Sequence, residues 1–342
     1  MAHFLVTGHT GFKGSWLTLL LKRRGHAVSG IGLDPLPNSL YTRAGLAKDL
    51  AADKRVDIRD SLELIESFNE IAPDYLVHLA AQPLVREGYR KPFDTYQTNA
   101  IGTLNVLNAA QLTSSLKAQL IVSTDKVYRN CETAAAYSEE DPLGGNDPYS
   151  ASKAMADILS QEWLGRGGSK PGGIARAGNV IGAGDVSRDR LIPDILRSVS
   201  EDNGLSLRYP RATRPWQHVL DCLNGYLMLL EGIEQHPGGT AWNFGPDLET
   251  ERSVMEVVAM ASRYLGHEIR VHEDIPPGLS EFPESTKLVL NSNKAKVDFG
   301  WVNKVPFDKA VEWSVCEAEI ESDLEFRSEV ERQIESFEAN DI

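Results

Sequence analysis

The apolar positions of this chain alternate between two spacings. Residues 3 to 7, His-Phe-Leu-Val-Thr, form a short apolar run of strand length, and from Phe12 to Arg24 the positions Trp16, Leu17, Leu20 and Leu21 fall at helical spacing. A second strand is expected over Ala27 to Leu33. Turn formers at Pro35, Pro37, Asn38 and Gly45 then mark residues 35 to 53 as an excursion before a short strand ending near Val56-Asp57-Ile58. The pattern continues with a helix over 61 to 71, a strand from Tyr75 to Ala81, a helix over 92 to 112 with Tyr96, Ala100, Leu104 and Leu107 on one stripe, and a strand over 119 to 123. A helix over 148 to 164 and a strand over 173 to 177 complete it. Strands separated by helices in this way predict an α/β chain with a doubly wound parallel sheet over residues 1–177. Beyond 178 the pattern changes. Helices near 191–201, 217–234, 252–265 and 307–327 and strands near 205–209 and 240–244 predict a smaller mixed α/β domain over 178–330, with elements near 217–244 rejoining the main sheet. Residues 331–342 are acidic and are expected to fray.

A ligand of such a sheet belongs at the carboxyl ends of its strands, and the chemistry of the sequence collects there. Gly8, Gly11 and Gly14 lie between the first strand and the first helix, where glycine lets the backbone turn, approach a diphosphate and pack the helix on the sheet. This makes the sheet Rossmann-type. Asp34 follows the second strand, where a carboxylate accepts hydrogen bonds from an adenosine ribose and repels a 2′-phosphate, favouring NAD over NADP. Asp57 is placed to meet an adenine amino group, and the small Ala80 and Ala81 let backbone lie against a bound cofactor. Ser123-Thr124-Asp125-Lys126 occupies another strand end. Asp147-Pro148 reads as a helix N-cap followed by proline at the first helical position, which sets Tyr149 and Lys153 one turn apart on one face. A lysine ammonium beside a phenol favours the phenolate, so this pair is a candidate base.

Bulk properties narrow the classes. The chain has 342 residues, 42% of them hydrophobic, and no apolar run reaches the ~20 residues that span a bilayer, so a soluble protein is expected. The net charge of -14 argues against a nucleic-acid partner, which requires a basic surface. Cys131, Cys222 and Cys316 are too widely spaced for a zinc site or a disulfide framework, and with a start at Met1-Ala2-His3-Phe4 that has no basic leader they point to the cytoplasm. No metal is expected.

Taken in order, Gly8-x-x-Gly11-x-x-Gly14, Asp34, Thr124 and Tyr149-x-x-x-Lys153 resemble the extended short-chain dehydrogenase/reductases, whose members bind NAD in the N-terminal domain and a nucleotide-sugar in the cleft beside the C-terminal domain. The stretches 7–17, 79–86, 125–126, 176–182, 189–194 and 214–220 are similar to the branch of 4,6-dehydratases acting on CDP-glucose. The resemblance implies that Phe12, Lys13, Ile58, Leu79, Thr98 and Ser123 join the cofactor site, and that Gln82, Asn179, Arg190, Arg214 and His218 meet the substrate, with Arg214 on the diphosphate. His218 is equally a helix-capping or core histidine. The implied roles are Tyr149, supported by Lys153, as base at the sugar 4-hydroxyl, Thr124 as its hydrogen-bonding partner, and Asp125 as acid for the departing 6-hydroxyl. Lys126 stands where dTDP- and GDP-sugar dehydratases carry a glutamate base, and either a neutral base or a stabiliser of the enolate fits it. Val127 and Gly184-Asp185-Val186 depart from the branch pattern, the second in a loop on the substrate side. The resemblance further implies a homodimer built from the 92–112 and 148–164 helices. An epimerase would share the glycine loop and the Tyr149/Lys153 pair without needing Asp125, and a dinucleotide sensor would need neither member of that pair.

Overall fold

The computed structural model describes residues 1–131, 135–207, 209–246, 252–273 and 288–342. In chain order the first half runs β1 (His3–Thr7), α1 (Phe12–Arg23), β2 (Ala27–Gly32), α2 (Leu40–Arg43), β3 (Ala52–Arg55), α3 (Ser61–Ile71), β4 (Tyr75–His78), α4 (Val85–Arg90), α5 (Pro92–Tyr96), α6 (Gly102–Leu112) and β5 (Ala118–Thr124). It continues with α7 (Pro148–Gly165), β6 (Gly172–Ala177), β7 (Val180–Ile181), α8 (Leu191–Glu201), β8 (Leu205–Leu207), β9 (Thr213–Arg214), β10 (Gln217–His218), α9 (Val219–Gly232) and β11 (Ala241–Phe244). The last elements are β12 (Arg252–Ser253), α10 (Val254–Leu265), β13 (Val271–Glu273), α11 (Asn293–Phe299), α12 (Phe307–Val315) and α13 (Asp323–Ala339).

Seven strands form one parallel sheet in the order β11-β6-β5-β4-β1-β2-β3. β2 and β4 flank β1, so the chain leaves β1 in one direction and returns on its other side. That reversal opens a crevice at the carboxyl ends of β1 and β4, where a doubly wound sheet takes its ligand. The central strands are apolar because both faces are covered: Leu5, Val6, Leu76, Val77, Leu120 and Ile174 are all buried. After the switch to the smaller part, α9 and β11 return to the sheet, and β11 pairs in parallel with β6 from Ala241 opposite Ile174 to Phe244 opposite Ala177.

Four expectations change. The third strand is Ala52–Arg55, earlier than the apolar Val56-Asp57-Ile58, because β3 pairs only with β2 and alternates half-buried with exposed residues. Val56 and Ile58 are buried just past its end. The helix expected over 92–112 carries a π-helical turn at Gln97–Ile101 between α5 and α6. The helix expected over 307–327 ends at Val315, and residues 331–342 do not form a frayed tail. They belong largely to α13, which buries Phe326, Val330, Ile334 and Phe337 at helical spacing and ties its polar face to the end of α1 and the segment before β3 through Arg23–Glu335, Arg24–Glu338 and Arg327–Asp49 ion pairs. The acidic composition describes only the outer face of this helix. The strand expected over 205–209 is seen as β8, and residue 208 lies outside the described residues.

Candidate active site

Three strand ends and one helix start supply the site. β1 turns directly into Gly8, at a φ of +75°, and a Cβ there would stand 2.8 Å from the Ala80 backbone that follows β4. A Cβ at Gly14 would stand 2.3 Å from the Gly8 carbonyl oxygen. Glycine is therefore required at both positions by close backbone approach as well as by φ at the first. Gly11 is the N-cap of α1 and provides no side-chain cap, which leaves first-turn N–H groups for an anion. Phe12 closes this region from the other side, since its ring would lie 3.1 Å from a Cβ at Gly182. Lys13 extends across to α9, where Nζ donates to the Tyr226 hydroxyl at 3.0 Å.

The β5 end and the start of α7 meet beneath this loop. Asp147 caps α7, accepting from the Ser150 N–H at 3.0 Å, and Pro148 takes the first helical position as its missing N–H allows. Tyr149 and Lys153 are both buried one turn apart. The Lys153 ammonium donates to the Val122 carbonyl at 2.9 Å, and burial brings its pKa down to about 8, with Asp157 opposing and Lys13 adding to the fall. Burial raises the Tyr149 hydroxyl, opposed by the charge of Arg190 and by the neighbouring Thr124 hydroxyl, while Asp125 and Asp147 raise it further. Arg190, at the start of α8, is the cation whose charge opposes that rise.

Thr124 donates to Asp125 Oδ1 at 2.9 Å, which joins Tyr149, Thr124 and Asp125 into one connected set. Asp125 is buried, and burial raises its pKa against the charges of Lys126 and Arg214 and the Thr124 bond. Such a carboxyl holds a proton more readily than an exposed one, as a general acid must. Gly178 leaves space beside it: a Cβ there would stand 3.2 Å from Asp125 Oδ2. Lys126 is half-buried on the single 3-10 turn after β5. The Ser123 hydroxyl is buried at the strand end with no partner among the described residues, a donor available to a bound group.

The remaining predicted residues divide between this crevice and its surroundings. Leu79, Ala80 and Ala81 follow β4, and the Gln82 N–H donates to Asn99 Oδ1 at 2.8 Å while its side-chain amide donates to Thr95 at 2.9 Å. Thr98 lies on the π-helical turn beside Asn99. Arg190 caps the entrance to α8 and reaches the Pro83 carbonyl at 3.4 Å, and Arg214 on β9 lies close enough to act on Asp125. Asn179 accepts from the Gln217 N–H through its carbonyl at 3.1 Å. Asp34 is exposed past β2 with Arg55 Nε at 3.4 Å. Asp57 follows β3 with both oxygens on Arg59, whose hydrogen bonds hold its carboxyl below the ordinary range, and Ile58 is buried beside it. His218 is corrected. Its ring is fully buried edge-on to Trp16 and Trp313, Nδ1 accepts from the Leu220 N–H at 3.3 Å as the cap of α9, and burial takes its pKa down to about 3. It has no surface to offer a substrate.

Several residues that organise the site carry no motif. His78 in β4 bridges the Thr7 and Thr103 hydroxyls at 2.6 and 3.0 Å and stays neutral, burial taking its pKa down to about 3. Asn99 donates to the Ser152 hydroxyl of α7 at 2.9 Å and to the Gln82 carbonyl at 3.1 Å, fixing the loop after β4 against α7. Asp157, one turn beyond Lys153, is buried on two guanidinium nitrogens of Arg176, at 2.9 and 2.7 Å, and Arg176 also donates to the Tyr128 hydroxyl. For His78, Asp157 and Arg176 the only signal is a polar residue inside an otherwise apolar run, and Asn99, which follows Gln97 and Thr98, has not even that.

Residues 4–245 match the model of the NAD dependent epimerase/dehydratase family. The chain belongs to this family. It is 39% identical over 307 residues to CDP-glucose 4,6-dehydratase of Salmonella typhimurium, covering 86% of this chain and 84% of that one. UDP-glucose 4-epimerase of Halalkalibacterium halodurans is 28% identical over 318 residues, 88% of this chain and 91% of the relative. Among solved structures, dTDP-glucose 4,6-dehydratase DesIV of Streptomyces venezuelae, with NAD and TYD bound, superposes with a TM-score of 0.79 at 25% identity over 92% of this chain and 96% of that one. The protein is NAD-dependent, and its glycine loop, unfilled strand-end hydroxyl and exposed Asp34 fit that cofactor. Gly14→Ala is expected to weaken NAD binding by about fivefold to a hundredfold, because a Cβ forced against backbone costs ~1–3 kcal/mol. Isothermal titration with NAD measures this, and an unchanged affinity would show that the loop does not hold the diphosphate.

Proposed function

We propose that this chain is a 4,6-dehydratase that converts CDP-glucose to CDP-4-keto-6-deoxyglucose as a cytoplasmic homodimer. The observation carrying this reading is the buried Asp125, raised in pKa by burial and bonded to the same Thr124 that meets Tyr149. Oxidation and reduction at one carbon need only the tyrosine side of this set, whereas expelling water needs an acid as well.

NAD, when bound, supplies hydride acceptance at the sugar C4 and later hydride return at C6. The protein's own groups do the rest. Tyr149 takes the proton of the 4-hydroxyl, and Thr124 holds that oxygen. Lys153, with a pKa near 8, exchanges protons readily at neutral pH beneath the tyrosine. The 4-ketone acidifies C5, and Asp125 gives its proton to the departing 6-hydroxyl. Lys126 serves at C5, either as the neutral base that takes the C5 proton and gives it back when hydride reaches C6, or as a positive charge beside the enolate while water exchanges that proton. Gln82, Asn179, Arg190 and Arg214 hold the nucleotide-sugar, with the guanidinium of Arg214 matched to phosphate oxygens. Gly8, Gly11, Phe12, Lys13, Gly14, Asp34, Asp57, Ile58, Leu79, Ala80, Ala81, Thr98 and Ser123 surround the cofactor. The dimer reading is supported by exposed apolar Phe93, Ile101, Met155 and Ile158 along α5–α6 and α7. Three free cysteines suit the cytoplasm, and no helix among the described residues is long and apolar enough to cross a membrane.

Incubation with NAD and, separately, CDP-, UDP-, GDP- and dTDP-glucose, followed by mass spectrometry of the sugar, tests this. Loss of one water from CDP-glucose alone is the expected result. Loss from another sugar keeps the chemistry and removes the CDP assignment, and an unchanged mass for every substrate removes dehydration.

A further inference from the structure

We infer that His9 is a positioning residue for NAD, pinning the dinucleotide loop to the sheet in its binding conformation. Resting on the NAD dependence above, the inference adds a residue that no loop motif requires: the motif fixes Gly8, Gly11 and Gly14 and leaves position 9 free.

The side chain of His9 turns back into the protein and is fully buried. Its ring sits on β2 at Gly30, where a Cβ would stand 2.2 Å from the imidazole Cγ, and all three nearest atoms to such a Cβ belong to His9. Gly30 pairs directly with Asp53 of β3. The imidazole therefore crosses one strand and reaches the next, where Nε2 lies 2.7 Å from Asp53 Oδ1. A carboxylate has no proton to give, so Nε2 carries the hydrogen and donates. Asp53 in turn accepts from the Tyr41 hydroxyl of α2 at 2.6 Å and is paired with Arg55. Tyr41 also meets the imidazole edge-on at 5.5 Å.

The rest of the loop is held by backbone bonds and by the hydroxyls of Thr10 and Ser15, the latter 2.8 Å from the Gly11 carbonyl and 3.4 Å from that of His9. Gly8 N–H donates to the Ile31 carbonyl at 2.7 Å, Gly11 N–H to the Gly8 carbonyl at 3.1 Å, and the Thr10 hydroxyl to the Leu33 carbonyl at 2.9 Å. His9 is the loop's tie to β3. Two glycines on adjacent elements thus serve one imidazole: Gly8 frees the turn and Gly30 frees the seat. A loop fixed before its ligand arrives has less conformational freedom to lose on binding, so the tie should appear in NAD affinity more than in turnover.

The test uses full-length protein stripped of nucleotide. NAD dissociation constants are measured for wild type, His9→Leu, His9→Gln, Gly30→Ala and the Gly30→Ala/His9→Ala pair, with kcat and KM for NAD on the dehydration assay. Glutamine places an amide donor near the position of Nε2, and leucine fills the space without one. His9→Leu is expected to weaken NAD about tenfold, with kcat at saturating NAD lowered less than about threefold, and His9→Gln to restore most of the affinity. Gly30→Ala should weaken NAD similarly when His9 is present and add nothing once it is alanine. Equal affinities in wild type and His9→Leu, or an equal loss in His9→Gln, would overturn the proposal. So would a Gly30→Ala loss that persists without the imidazole. If wild type itself bound no NAD, the cofactor reading would fall first, an outcome separate from these.

Discussion

Tyr149→Phe removes between about a hundredfold and ten-thousandfold of dehydration activity while NAD still binds. The range is that of a positioned proton-transfer group lost from a transition state. Phenylalanine keeps the ring that packs at the start of α7 and deletes one oxygen, so Thr124 and Asp125 retain their mutual bond. Both kcat and kcat/KM should fall, because the missing interaction is strongest in the transition state. Mass spectrometry of the nucleotide-sugar with parallel NAD titration measures the two quantities separately. Retention of more than about a tenth of the activity would move the base elsewhere in the crevice, and Lys153 would be the first alternative.

Asp157→Asn or Arg176→Met should destabilise the fold by about 3–5 kcal/mol, the typical cost of leaving one member of a buried ion pair unpaired. Neither partner has solvent to fall back on: their side chains are 0% and 1% exposed. The pair ties α7 to β6 one turn beyond Lys153, so the effect should reach activity through the position of the catalytic helix. Replacing both partners, with Asp157→Leu and Arg176→Met, should recover a large part of the stability, since no isolated charge then remains. The Tyr128 hydroxyl keeps its bond to Asn243 in that variant. Thermal melts of the three proteins provide the comparison. A loss below about 1 kcal/mol in the single variants would place the pair with exposed ion pairs in energetic weight.

The residues that could be read from the sequence are those whose roles depend on local chain geometry. Glycines at a strand-to-helix turn, a capping aspartate before proline and two residues at a four-residue spacing act through neighbours a few positions away. Their consequences follow from backbone rules alone. His218 shows the opposite case. Its place in a motif-rich stretch leaves a ligand contact and a core or capping role equally open, and only the packing of Trp16 and Trp313 around it, from far along the chain in both directions, makes it a buried cap. Asp157 and Arg176 were unreadable for the same reason, since burial and pairing are properties of two segments together. The C-terminal helix failed differently. Averaging its charge concealed Phe326, Val330, Ile334 and Phe337, which recur every three or four residues and face the core. The π-helical turn at Gln97–Ile101 breaks that period by one residue, which a stripe of apolar positions absorbs without visible trace.

The polar composition of β3, Ala-Asp-Lys-Arg, is what shifts its expected end onto the apolar Val56-Asp57-Ile58. It has a further effect because β3 is the last strand on its side of the sheet. An outermost strand presents unpaired backbone donors and acceptors to any passing chain, and an apolar one invites a second sheet to add on. Here Lys54 is ion-paired with Glu70, and Asp53 and Arg55 are paired with each other. A chain docking along β3 would have to strip water from these charges, so the strand that was hardest to read also guards the monomer against open-ended β-aggregation.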